Sequence, residues 1–389
     1  MRLARCVFVL TAFCAATSVG ISSVAAQEAP KRLEQSATPV PPFNYAGREL
    51  PPHIEALSEL DNTPADNPVT DAGAHLGRVL FYDRQLSKNG LISCGSCHTA
   101  VFGFDDQTRF SIGFLGKITR RAAMPLANAR FNPRGRYFRD ERAATLEEQV
   151  IDPFTDPIEM GLEPGEAVLR IKQRKWYLPL FDAAFGDENI TDQRIALALA
   201  QFVRSMVSTS SRYDKAKMDS PPGLPPTEPF SQFNDQENRG KYLFFADQDQ
   251  GGAGCASCHE TDAFIMLHPR NNGLQPLKES DDNGLGEITG KDVDMGLFRA
   301  ASLKNTAVTA PYMHDGRFGT LAEVVDHYSE NVLPHPNLSP ELRQPDGSPT
   351  KFSFSEKDKA ALLAFLATLT DNGMMNDERF SDPFLADPD

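Results

Sequence analysis

The stretch LGRVLFYDRQLSKNGLISCGSCHTA, residues 76–100, recurs in looser form as RGKYLFFADQDQGGAGCASCHE, residues 239–260. Both run Gly–basic–x–Leu–Phe–aromatic and then reach a Cys-x-x-Cys-His. Gly77 stands 17 residues before Cys94, and Gly240 stands 15 before Cys255. A repeat of this kind predicts two related structural units built around one local motif.

The motif has a specific chemical meaning. In CxxCH the two thiols add to the vinyl groups of a haem, and the adjacent histidine becomes an axial ligand of its iron. One turn of chain must present both sulfurs to one edge of the macrocycle and then place the imidazole under the iron. A zinc site, a redox-active thiol pair and coincidence are the alternatives. A zinc site needs a second ligand pair nearby, and the sequence offers none. Two covalently bound c-type haems are therefore expected, attached through Cys94 and Cys97 and through Cys255 and Cys258. His98 and His259 are the expected proximal ligands.

Cysteine usage supports this. The chain has 6 cysteines among 389 residues. Cys6 and Cys14 lie in residues 1–26, which read as a secretory signal peptide: Arg2 and Arg5, then the short apolar run CVFVLTAF, then SVAA before Gln27. The other four all lie in the two motifs, so no thiol is left for a structural disulfide. The apolar run is too short for a comfortable membrane span. After signal cleavage the protein is expected not to span a membrane, and to be exported and soluble in the periplasm.

Charge narrows the partners. Of 39 basic residues two leave with the signal, so 37 face 53 acidic ones, a formal charge of −16. No nucleic acid is expected as a partner, because phosphate binding needs a basic face.

The chain divides as follows. Residues 27–52, rich in Pro, Gln and Ala, read as a flexible N-terminal arm. The Pro-rich stretch 221–230 reads as a linker between units at 53–220 and 231–389. Each unit closes with an amphipathic helix candidate. Thr191 is placed to cap RIALALAQFVRSMV, and Ser355 with Asp358 to form a capping box on SEKDKAALLAFLATL. No run of alternating strands is visible. The expected class is mainly α, with two cytochrome c-like haem domains and long loops.

Function turns on the sixth coordination position of each iron. A carrier fills both, whereas a peroxide-using haem leaves one open. His53, His75, His268, His314, His327 and His335 remain as further candidates, and none stands out by spacing.

The two motifs, with PYMHDGRFGTLAEVVDHY at 311–328 after the second, resemble the bacterial di-haem cytochrome c peroxidases and their MauG-like branch. The likeness covers roughly residues 70–370. It implies an N-terminal haem that meets hydrogen peroxide and a six-coordinate C-terminal haem that passes electrons. It also implies a small c-type cytochrome or blue-copper electron donor, or a protein substrate that is oxidised instead.

The stretch LEEQVIDPFTDPIEMG, 146–161, resembles the family's active-site loop. The resemblance makes Glu159 and Gln149 catalytic and brings in Pro153. A carboxylate above an open iron can move a proton between the two peroxide oxygens. The alternative is that Glu159 is one more acidic residue on a solvated loop. Phe114, in RFSIGFLGKITRR, stands where other members carry a histidine that blocks the peroxide site until reduction. It cannot ligate iron, so the first haem is expected to be open without activation. Tyr328 stands at the axial position of the second haem, and Met313 and His327 are the alternative ligands.

Two departures from the family pattern stand out. Arg139, in YFRDERA, replaces a tryptophan between the haems, which leaves Tyr137 or Phe138 as an electron route. Ala122 replaces an asparagine ligand of the family's calcium ion, while the Thr309 and Pro311 carbonyls remain. A pure di-haem electron carrier and a haem-based sensor are the non-enzymatic readings. The Glu159 loop argues against both, because neither needs an acid–base group there.

Overall fold

A computed structural model describes residues 43–275 and 282–384. The signal peptide and most of the arm lie outside the described residues. The molecule is mainly helical. Among the described residues extended chain pairs only as isolated bridges, such as Thr99 with Asp105.

Two helix pairs organise it. In the first half α1 (Asp71–Tyr82) packs on α2 (Asp192–Ser205). In the second half α3 (Asp235–Phe245) packs on α4 (Glu356–Ala367). Each pair buries its apolar stripe in its own core. Leu76, Val79 and Leu80 meet Leu199 and Phe202 in one, and Leu243 and Phe244 meet Leu362 and Phe365 in the other. Burying side chains of this size contributes about 1.5–3 kcal/mol each.

The repeated glycine makes both pairs possible. A Cβ at Gly77 would lie 2.0 Å from the Ala198 carbonyl oxygen and 2.7 Å from the Phe202 Cβ. A Cβ at Gly240 would lie 1.9 Å from the Ala361 carbonyl oxygen and 2.8 Å from the Phe365 Cβ. The two contacts correspond atom for atom, so the sequence repeat is a repeat of packing. The basic residue that follows is buried in both. Arg78 Nε donates to the Ser381 carbonyl at 2.7 Å, and Lys241 Nζ donates to the carbonyls of Glu228, at 2.5 Å, and of Pro226.

The predicted caps form with one difference. Thr191 Oγ1 accepts from the Arg194 N–H at 3.2 Å. Ser355 Oγ likewise accepts from the Asp358 N–H at 3.2 Å. The Asp358 carboxylate, however, takes the Ser355 hydroxyl at 2.8 Å and Arg239 at 2.9 Å, so this cap is not a reciprocal box.

Residues 43–50, at the end of the expected arm, pack onto the body. Tyr45 is 5% exposed and donates its hydroxyl to the Arg379 carbonyl at 2.9 Å. Arg48 donates to the Val207 carbonyl at 2.8 Å. In the Pro-rich segment Phe230 is buried against Tyr213 and Phe233, and Lys241 holds the carbonyls beside it.

Candidate haem and peroxide site

The first motif forms one short helix, Cys94–Cys97. Ser96 Oγ accepts the Ser93 N–H at 3.0 Å and fixes its start. The His98 N–H closes the turn on the Cys94 carbonyl at 2.9 Å. The turn places Cys94, Cys97 and His98 on the wall of a cavity of about 500 Å³. His98 Nδ1 lies 3.1 Å from the Phe104 carbonyl, which orients the ring. Burial lowers the His98 pKa, so the ring is neutral, as a ligand must be.

These residues fit a covalent haem better than the alternatives. Burial pushes the Cys94 thiol up to about 12 and the Cys97 thiol up to about 11, whereas a reactive thiol pair needs a lowered value. Among the described residues no cluster of three or more His, Cys, Asp or Glu side chains could hold a bare metal ion.

The loop at 146–161 enters the same cavity. Gln149, Pro153 and Glu159 line it together with Cys94, Cys97 and His98. Thr145 Oγ1 caps the short helix Leu146–Gln149 through the Glu148 N–H at 3.1 Å. Asp156 Oδ1 accepts the N–H of Ile158 at 2.7 Å and of Glu159 at 3.1 Å, which turns the loop back. A side chain at Gly113 would put its Cβ 1.6 Å from the Ile158 carbonyl oxygen, so only glycine admits this approach.

The Glu159 carboxyl is pushed up to about 7, mainly by burial, then by Asp156, against the pull of Arg142. A smaller cavity of about 200 Å³, shared by Glu159, Arg142, Asp152 and Asp156, adjoins the large one. Glu159 is thus a half-buried carboxyl on a cavity wall next to a polar recess, not one more solvated acid. Phe114 is not on the wall of the large cavity, although its neighbour Gly113 is.

The second motif makes a tight turn at Cys255–Ser257, with the His259 N–H on the Cys255 carbonyl at 2.9 Å. Burial pulls the His259 pKa down to about 4, and its buried Nδ1 has no hydrogen-bonding partner among the described residues. Tyr328 and Met313 converge on one amide. Asn272 Nδ2 lies 3.3 Å from the Tyr328 hydroxyl and 3.4 Å from the Met313 sulfur. His327 Nε2 is engaged by the Asn272 carbonyl at 2.9 Å. Burial pushes the Tyr328 hydroxyl up to about 12, and both motif cysteines, Cys258 and Cys255, act on it electrostatically. Tyr328 lies in a single π turn, His327–Asn331, a distortion often found at functional sites.

Sequence reasoning missed Asn272, Asp156, Arg142 and the Phe104 carbonyl. Asn272 and Phe104 lie outside the quoted motifs, and Arg142 and Asp156 lie within quoted stretches, but each matters only through partners brought to it by the fold. Trp176 stacks on Tyr177 at 3.9 Å against the first core and is not on the cavity wall, whereas Tyr137, Phe138 and Arg139 line it.

Residues 71–220 match a family model described as di-haem cytochrome c peroxidase. The chain is 33% identical to the methylamine utilization protein MauG of Methylorubrum extorquens over 79% of its own length and 80% of that protein. It is 30% identical to the cytochrome c551 peroxidase of Nitrosomonas europaea, over 76% and 79% of the two chains. Among solved structures, a MauG-like protein associated with microbial copper homeostasis superposes with a TM-score of 0.70 at 33% identity. That match covers 88% of this chain and all of the other.

Proposed function

The chain belongs to the di-haem cytochrome c peroxidase family, and from that premise we propose that it reduces hydrogen peroxide to water with electrons from an external donor. It is an oxidoreductase of the peroxidase type. The observation that carries the proposal is the shared cavity, in which Glu159, Gln149 and Pro153 face the residues of the first haem motif.

Cys94 and Cys97 with His98, and Cys255 and Cys258 with His259, would hold haem, which would supply the iron electron-transfer chemistry. The proton chemistry falls to the chain. Each peroxide takes two electrons and two protons to give two waters. Glu159 accepts a proton from one peroxide oxygen and returns it to the other, which leaves as water. A carboxyl near pH 7 can do both, because neither form is strongly favoured. Gln149 offers an amide to orient the peroxide, and the Asp156 bonds to the Glu159 segment hold the carboxyl in place.

Phe114 cannot ligate iron, so a haem held at the first motif would need no reductive activation. Tyr328 would supply a side-chain ligand to the other haem, with Met313 next to it as the alternative. The units at 53–220 and 231–389 are the two cytochrome c-like haem domains, consistent with one helix pair in each. The leader pattern at 1–26 supports a periplasmic location, where a small c-type cytochrome or blue-copper protein would be the donor. Among the described residues no helix is long and apolar enough to cross a membrane.

A second reading, in which the oxidising equivalents modify a partner protein, is favoured by Tyr328. A phenolate ligand donates charge and stabilises oxidised iron.

The test is electron paramagnetic resonance and optical spectroscopy on the fully oxidised holoprotein, before and after one equivalent of hydrogen peroxide. One high-spin and one low-spin ferric signal, both lost on adding peroxide, are expected. Two low-spin signals indifferent to peroxide would overturn activation-free turnover.

The calcium ion of the family, which the sequence leaves open, loses a side-chain ligand here. Residue 122 offers only a methyl group, and the Ala122 and Ala123 carbonyls each accept an N–H from a cation of the chain itself.

A further inference from the structure

We propose that the Arg139 guanidinium is a built-in cation at the junction of the two halves, and that this junction binds no calcium. Arg139 Nε donates to the Ala122 carbonyl at 3.0 Å, and Nη2 donates to the Ala123 carbonyl at 2.7 Å. Both partner stretches also cross to the second half. The Ala122 N–H donates to the His314 carbonyl at 3.0 Å, and the Arg299 N–H donates to the Arg139 carbonyl at 2.8 Å. The guanidinium therefore closes a loop of main-chain bonds that links residues 122, 139, 299 and 314.

Its charge is not neutralised locally. Among the described residues no carboxylate comes within ion-pairing distance of Arg139, and Asp105 and Asp315 act on it only from farther away. Burial lowers its pKa to about 10, so it remains charged at neutral pH. Backbone carbonyls are among the oxygens that can hold a calcium ion; here two of them hold a cation that is covalently part of the chain.

The two occupants exclude each other. Calcium needs six to eight oxygen ligands with free lone pairs. At this junction the side chain at 122 that would add an oxygen is a methyl, the Ala122 and Ala123 oxygens each accept an Arg139 N–H, and the Thr309 and Pro311 carbonyls alone fall short of six ligands. A divalent ion would also have to sit next to a fixed positive charge with no carboxylate between them. Arg139 is planar and permanently protonated, and its fork matches two adjacent carbonyls, so it can take over the bridging role.

The experiment is metal analysis of the holoprotein with both haems in place, followed by titration with calcium chloride and with a calcium chelator. Thermal unfolding and the ferric resonance signals are read at each step. These readouts do not require peroxide turnover, so the result stands apart from the proposed activity. Two irons and less than one-tenth of a calcium per chain are expected, with no shift in melting temperature or spectrum. One calcium per chain, or a calcium-dependent shift, would overturn the proposal. The double variant Arg139→Ala with Ala122→Asn frees both carbonyls and restores a side-chain oxygen. It should gain a calcium-dependent rise in melting temperature; if it folds and stays indifferent to calcium, Arg139 is not what excludes the ion. Arg139→Lys keeps the charge but loses the fork. It should melt lower than the parent and remain calcium-free, and calcium uptake by this variant would also count against the proposal.

Discussion

The main-chain N–H of Phe114 donates to the carbonyl of Glu159 at 2.9 Å. The residue that cannot ligate the first iron thus holds the loop that carries the expected acid–base group. Gly113 beside it allows the two stretches to touch, because any side chain there would strike the Ile158 carbonyl. Replacing Glu159 by Gln keeps the shape of the site and removes the proton carrier. Turnover should fall by roughly 10²- to 10⁴-fold with both haems retained. Steady-state peroxide reduction, alongside the haem absorbance, checks this; full activity would remove Glu159 from the mechanism.

The pH dependence follows from the same carboxyl. Its value of about 7 lies above the usual 4.5, chiefly through burial, and Arg142 holds it down. Proton acceptance needs the ionised form, so kcat/KM should be full at alkaline pH and fall as pH drops through about 7. Arg142→Met removes a cation that favours the ionised form, so this acid limb should move to higher pH. A limb that moves down or stays put would show that another group governs it.

At the second motif the Asn272 amide lies between Tyr328 and Met313, 3.3 Å from one and 3.4 Å from the other. Tyr328→Phe should alter only the low-spin ferric signal and raise the potential of that haem, because a charge-donating ligand is lost. Met313→Leu should leave the signal in place. If the outcomes reverse, Met313 is the ligand and Tyr328 packs beside it.

The parts of this fold that were legible in sequence are those governed by neighbours close along the chain or by a repeated packing constraint. Thr191 announced its helix because a cap acts three residues ahead. The CxxCH turns and the paired glycines were visible because each is needed twice. Arg139 was visible as a departure, but its acceptors, Ala122 and Ala123, meet it only after folding. Asn272 carried no signal, since its role depends on residues 41 and 56 positions away. Residues 43–50 read as part of a loose arm because the stretch 27–52 is rich in Pro, Gln and Ala, and the partner of Tyr45, Arg379, lies 334 residues on.

The last prediction concerns the repeat itself. If Gly77 and Gly240 serve the same contact, the same substitution should fail in both places. Alanine at either position must move a carbonyl oxygen now about 2 Å from where its Cβ would lie, and that oxygen belongs to the backbone of the facing helix. Overpacking of this kind costs about 1–3 kcal/mol and occasionally more. In a unit of this size each kcal/mol lowers the melting temperature by about 2–4 °C. Gly77→Ala and Gly240→Ala should therefore each melt several degrees below the parent. Gly290 follows a short helix on the surface and has no neighbour within 4 Å of a built Cβ. Its left-handed φ of 66° still disfavours alanine, at a cost of about 1 kcal/mol, so Gly290→Ala measures backbone strain without the clash. A loss at Gly77 and Gly240 no larger than at Gly290 would mean that the helices can separate freely, and that the repeat in the sequence is not a repeat in packing.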